Sequence, residues 1–171
     1  LDSRNIYFGG TNIDRLILEK LVLPKWKEVD FSSLDKAEQY DVETELLGEI
    51  ISAKENLFIE EDEETAFITM TNVYKDKSID VEIDKSEVID LLQEQKIKED
   101  IYQIFEQLLD EADLVKDDID VVKMVGGSSR IDYFQEIIAE FFEDDDILDI
   151  DDEDIYKAVS YGACQYLFDI C

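Results

Sequence analysis

The run Ile119-Asp-Val-Val-Lys-Met-Val-Gly-Gly-Ser-Ser-Arg130 holds the residue types from which a nucleotide-binding turn is built. Gly126 and Gly127 have no β-carbon, so the chain can turn sharply and a ligand can approach the backbone closely. Ser128 and Ser129 can cap a following helix and donate hydrogen bonds. Two elements must position this turn. Ile119, Val121, Val122, Met124 and Val125 predict a short strand buried on both faces, while Ile131, Phe134, Ile137, Ile138, Phe141 and Phe142 recur at helical spacing. A Gly-Gly pair before a helix also serves as a plain strand-to-helix connection, so the turn needs its context before it says anything of function.

Charge and composition limit the chemistry. The chain has 171 residues with 46 acids against 16 bases, a formal charge of −30, and no histidine. A surface this negative disfavours nucleic acid and acidic membranes as partners. Without histidine, Ser-His-Asp and Cys-His nucleophile pairs and histidine-ligated zinc are excluded. The acidic runs at 60–64, 144–146 and 151–154 lack the glycine-punctuated spacing of a calcium loop and read as solvated loops and helix ends. Cys164 and Cys171 lie seven residues apart, which suits one helix face; we expect them reduced, with Cys164 buried. No secretory signal or membrane-spanning apolar run is evident, so a soluble cytoplasmic protein is expected, and a start at Leu1 suggests a piece of a longer one.

A hydrophobic content of 45% supplies a core for one domain or two small subdomains. After Gly9-Gly10, residues 11–26 carry Ile13, Leu16, Ile17 and Leu21 at helical spacing, with Asn12 as a cap and Pro24 near the end. A second helix over 42–58 has Leu46, Leu47, Ile50, Ile51, Ala53, Leu57 and Phe58 in one broad stripe. The period then changes to two: Ala66, Ile68 and Met70, then Ile79, Val81 and Ile83, predict a hairpin around Tyr74-Lys-Asp-Lys77. Asp84 and Glu87 form a capping-box start to helical residues that run to Ala112, with a break near 93–95. A last helix is expected from about Glu153, burying Ile155, Val159, Ala163, Tyr166 and Ile170.

Four stretches in this order resemble lobe II of the nucleotide-binding domain of the 70-kilodalton heat-shock (DnaK) chaperones, in the actin-like ATPase superfamily. Phe8-Gly9-Gly10-Thr-Asn-Ile-Asp14 is similar to the family's Leu-Gly-Gly-Glu-Asp-Phe-Asp, and Glu49-Ile-Ile-Ser-Ala-Lys-Glu-Asn-Leu57 to its Glu-x-x-Lys-Ala-Lys-x-x-Leu helix. Val125-Gly-Gly-Ser-Ser-Arg-Ile131 resembles Val-Gly-Gly-Ser-Thr-Arg-Ile, and Val159-Ser-Tyr-Gly-Ala163 the closing Val-Ala-x-Gly-Ala helix. The resemblance implies an α/β chain, α+β in parts, with the actin-like, ribonuclease H-like fold represented by lobe II only. It implies a hairpin-bearing helix-hairpin-helix insertion subdomain over 12–95, and a partial sheet subdomain from 1–11 and 96–171.

In the resembled family adenosine lies between the glycine turn and the lysine-bearing helix, which carries a nucleotide role onto Gly126, Gly127, Ser128, Arg130 and Lys54. Those residue types suit the task. A guanidinium stacks on an adenine face, glycines leave room for base and ribose, and lysine reaches polar edges. The bland alternatives are a surface ion pair for Arg130 and a solvated helix position for Lys54. The implied cofactor is ATP or ADP, with magnesium only when the other lobe is present. Implied partners are that lobe, a nucleotide-exchange factor gripping the hairpin subdomain, and a co-chaperone. The phosphate loops and the metal site belong to parts of the family outside this chain, so the chain alone is not expected to hydrolyse ATP.

Departures pull the other way. Ile51, Glu55 and Phe58 stand where the family places Glu, Arg and Ser against adenosine, and Tyr156 replaces an aspartate. Losing two hydrogen bonds to charged groups, roughly 1.5–3 kcal/mol each, would weaken binding by about a hundredfold to ten-thousandfold. A divergent, nucleotide-blind interaction module is therefore the second reading. Another actin-like ATPase, such as a sugar kinase or a filament protein, fits the Ala53-Lys54 helix and the hairpin insertion less well.

Overall fold

The computed structural model describes residues 6, 8–59, 63–143 and 148–149. It divides into two compact units, a hairpin unit, Phe8–Lys96, and a glycine-turn unit made of Ile97–Cys171 with Leu1–Tyr7. The predicted last helix, Tyr156 and both cysteines fall outside the described residues.

In the hairpin unit, helix α1 (Gly10–Ile17) passes into one π-helical turn, Leu18–Val22, and a short helix α2, Leu23–Lys25. Gly9 occupies the cap, and Asn12, inside the first turn, reaches back to accept the Gly9 N–H at 3.0 Å. Asn12 therefore supports the cap without being it. The wider turn has a local cause, because Pro24 has no N–H to continue the α-helical ladder, and the Leu23 N–H bonds five residues back to Leu18.

Helix α3, Lys36–Ile59, starts six residues before the apolar stripe that predicts it. Asp35 sets that start: its Oδ1 accepts the N–H groups of Ala37 and Glu38, both at 2.9 Å, while Glu38 Oε2 accepts the Asp35 N–H at 3.2 Å. Val42, Leu46, Ile50, Ala53, Leu57 and Phe58 are buried along it. Ile51 is not: it lies a helical step off that row and is 39% exposed, correcting the broader stripe.

Strands β1 (Thr65–Tyr74) and β2 (Lys77–Asp84) form the expected antiparallel hairpin; an irregularity between Met70 and Tyr74 shifts the register so that Ala66 lies opposite Ile83, Ile68 opposite Val81 and Met70 opposite Ile79. Ala66, Ile68, Ile79, Val81 and Ile83 are buried on the face packed against α3. The two-residue turn puts Lys75 and Asp76 at φ 44° and 62°, the left-handed pair that matches strand twist. Helix α4, Lys85–Gln93, opens on the Asp84–Glu87 capping box and stops at a left-handed Lys96, so the break falls where the sequence puts it.

Glu38 also ties the α3 start to the hairpin tip. Its Oε1 accepts the Tyr74 hydroxyl at 2.8 Å and Lys75 Nζ at 2.9 Å, beside an open cleft of about 450 Å³ lined in part by Glu28, Asp30, Ser33 and Lys77. The Lys75 ammonium, then the Tyr74 hydroxyl, hold the Glu38 carboxyl down at about 2. Its folded pKa is below the ordinary carboxylate value, so the contribution is present above about pH 4.3 and is lost as pH falls through about 2. A carboxyl NMR titration should place Glu38 near 2 and move it up toward the ordinary range in Lys75→Met. An ordinary value in the unaltered chain would refute the tie.

In the glycine-turn unit, α5 (Ile97–Ala112) and α6 (Asp132–Phe142) are joined through a 3₁₀ turn, Lys116–Asp118, and a two-residue strand β3, Val122–Lys123. β3 pairs in parallel with β4, Leu148–Asp149. The strand predicted over 119–125 is corrected here: Val121 and Val125 are 57% and 46% exposed, and only Met124 is buried. A parallel strand reads as buried on both faces when cover lies on both; among the described residues β3 pairs with one strand over two residues. Lys98 Nζ donates to Glu140 Oε1 and Oε2, both at 2.6 Å, pinning α5 to α6 and holding the Glu140 carboxyl below its usual value.

Candidate functional site

The glycine turn is built from the backbone outward. Gly126 sits at φ 92°, a conformation that side-chain-bearing residues rarely adopt, and Gly127–Arg130 closes as a 3₁₀ turn. Ser129 is the lock: it is 6% exposed, its N–H and its Oγ both bond the Gly126 carbonyl, at 3.0 and 2.6 Å, and its own carbonyl accepts Gln135 Nε2 at 2.8 Å. The serines do not cap α6, whose cap position is Ile131 with no side-chain bond. The interposed 3₁₀ turn is the reason, since it places both serines before the first helical turn rather than at its edge.

The turn is held from inside, and among the described residues a β-carbon at Gly126 or Gly127 would meet no atom within 4 Å beyond its chain neighbours. Ser128 and Arg130 are half-buried on the same turn, so Gly126, Gly127, Ser128 and Arg130 stand together within five residues. Exposed backbone, a hydroxyl and a guanidinium offer a ligand hydrogen-bond donors and a planar cation.

Lys54 is placed differently. In the hairpin unit its Nζ bonds Asp14 Oδ1 at 2.6 Å, with 13% and 7% of the two side chains exposed. This ion pair joins α3 to α1, and it gives Lys54 a partner within its own unit. Asp14 is not among the residues whose type and spacing point to a site. Two signals could have found it: it ends the Phe8-to-Asp14 motif, and it shares the buried row of α1 with Ile13 and Ile17. Of the departing positions on α3, Ile51 and Glu55 are exposed and Phe58 is buried, with Lys85 Nζ 5.5 Å from its ring centre. None of these three side chains is a hydrogen-bond donor.

Comparison with known proteins decides the family: the Hsp70 protein family matches residues 3–166. The chain belongs to the Hsp70 family. Its mixed helix and sheet composition is consistent with part of an Hsp70 ATPase domain. Heat shock protein hsp88 of Neurospora crassa is 29% identical over 139 residues, which cover 80% of this Hsp70-family chain and 18% of that relative. The chain thus spans under a fifth of that relative's length. No helix among its described residues is long and apolar enough to cross a membrane.

Proposed function

We propose that this chain is the second-lobe part of the nucleotide-binding domain of an ATP-dependent chaperone, with Gly126, Gly127, Ser128 and Arg130 on the adenosine side of bound ATP or ADP. The observation that carries this is the glycine turn, locked from within by Ser129 and, among the described residues, with room for a β-carbon at Gly126 and Gly127. Family membership supplies the ligand class. The nucleotide would bring the phosphate bond whose turnover changes the domain's closure, and this chain's residues would hold the base and ribose in place. Residues 12–95 are proposed as the subdomain offered to an exchange factor, and the sheet part, 1–11 and 96–171, as the support of the turn. Lys54 enters the proposal through its ion pair with Asp14, which fixes α3 against α1.

A second reading has its own observation. With Lys54 bonded to Asp14 and no polar donor at Ile51, Glu55 or Phe58, the chain could have kept the fold as a nucleotide-blind interaction module. Calorimetric titration of ADP with magnesium into the two-lobed protein separates the two readings. Under the first, binding is micromolar or tighter and falls at least about tenfold in Arg130→Ala, the loss of one stacked or hydrogen-bonded cation. No binding by a demonstrably folded protein rejects it in favour of the module.

A further inference from the structure

The two edges of the hairpin are treated oppositely. Successive peptide groups in a strand point to alternate edges. The Glu64 carbonyl accepts the Lys85 N–H at 2.8 Å across the base of the hairpin, which places residues 66, 68 and 70 toward β2 and residues 67, 69 and 71 toward the outside. On β2 the same alternation turns Ser78, Asp80 and Glu82 outward, and two of those three carbonyls are covered: Trp26 Nε1 donates to Ser78 at 2.8 Å and Lys25 Nζ to Glu82 at 2.9 Å. Among the described residues no side chain covers the outer edge of β1 in this way. The sheet has two strands, and among the described residues β1 pairs with β2 alone.

The sequence of β1 fits an edge left open for use. Its ten residues, Thr-Ala-Phe-Ile-Thr-Met-Thr-Asn-Val-Tyr, carry no charge in a chain that is 36% charged, and they are rich in β-branched and aromatic types. Natural edge strands usually carry lysine, proline or charge against unwanted pairing. Phe67 is 60% exposed, with Thr69 and Thr71 exposed beside it. The regular stretch ends at an irregularity after Met70, where Asn72 turns left-handed at φ 58°, so the open edge is residues 67–71.

Charge selects the occupant. Residues 8–96 hold 23 acidic against 10 basic side chains, and exposed Asp80 and Glu82 lie on the same outward face as Phe67 and Thr69. A second copy would bring the same negative field to the pairing. We propose that the β1 edge at 67–71 takes an extended, lysine- or arginine-bearing segment of another protein by strand addition, its cations alternating over Asp80 and Glu82. This does not rest on the nucleotide reading.

The test uses the whole chain and a short synthetic peptide alternating lysine with valine, with a glutamate–valine peptide as control. Binding is read by fluorescence anisotropy, and amide exchange by NMR. The lysine peptide should bind and slow exchange at the Phe67, Thr69 and Thr71 amides, while those of Ala66 and Ile68, already paired within the hairpin, change little. Thr69→Pro removes an outward N–H at a place where an edge strand tolerates proline, and should weaken binding by about tenfold or more. Thr69→Lys keeps the N–H and adds a repelling charge; it should weaken the same peptide, and it stands as the test if the proline variant fails to fold. Equal binding of the glutamate peptide, protection at other amides, or unchanged binding in a folded Thr69 variant overturns the proposal. So does failure of the lysine peptide to bind, or self-association that the Thr69 variants abolish, which would make a second copy the occupant.

Discussion

Lys54→Met is expected to destabilise the hairpin unit by about 3–5 kcal/mol, the range for removing one partner of a buried ion pair. The reason is desolvation. Asp14 keeps only 7% of its side chain exposed, and without the Lys54 ammonium at 2.6 Å its carboxylate is left in a low-dielectric row between Ile13 and Ile17. Methionine fills much of the space of the lysine stem, so lost packing adds little. Asp14→Leu should cost less than Lys54→Met, because the remaining ammonium sits on a flexible stem that can reach toward water. The double variant should recover most of the loss, since two apolar groups of similar volume have no charge to desolvate. Urea unfolding of the four chains gives the coupling directly, and additive losses would show that the pair contributes nothing as a pair. Nucleotide affinity read on the same variants adds the functional half. If Lys54 acts by positioning, Asp14→Leu lowers affinity along with stability; if Lys54 itself reaches the ligand, freeing it from Asp14 does not.

The elements were legible wherever one physical signal dominated. Period-two alternation places the hairpin, though not the register shift after Met70, and the Asp84–Glu87 box places the start of α4. What escaped was set by signals that act at a distance or compete locally. The first turn of α3 is set by Asp35 and Glu38, a capping box sitting ahead of the apolar stripe that predicts the helix. The role of Asp14 needed a partner 40 residues away, which helical spacing cannot supply. At the glycine turn the composition announced an open loop. That Ser129 would turn inward to hold Gly126, leaving α6 without a serine cap, is a choice between two local hydrogen bonds that the sequence permits equally.

The Gly126–Arg130 turn depends on what lies behind it, and Phe141→Ala should show how much. Phe141 is 2% exposed, with the rings of Tyr102, Phe105 and Phe142 centred 5.1, 5.2 and 5.0 Å from its own. Lys116 Nζ lies 4.1 Å from its ring centre and also bonds its carbonyl, so one residue joins α5, the Lys116–Asp118 turn and the end of α6. Truncation to alanine is expected to cost about 3–5 kcal/mol, the sum of lost apolar burial and the cavity left among rings that cannot all close in. Phe141→Leu keeps part of the volume and should cost clearly less. Beyond stability, the loss should reach the turn, because α6 is tied to it through Gln135 Nε2 on the Ser129 carbonyl. Amide exchange at Ser129 and Ile131, whose N–H groups bond Gly126 and Ser128, is the measurement that tells these apart. Faster exchange there in Phe141→Ala, under conditions where the chain stays folded, would make the aromatic cluster the support of the turn. A variant within about 1 kcal/mol of the unaltered chain, with exchange at the turn unchanged, would mean that the turn holds itself through Ser129 alone.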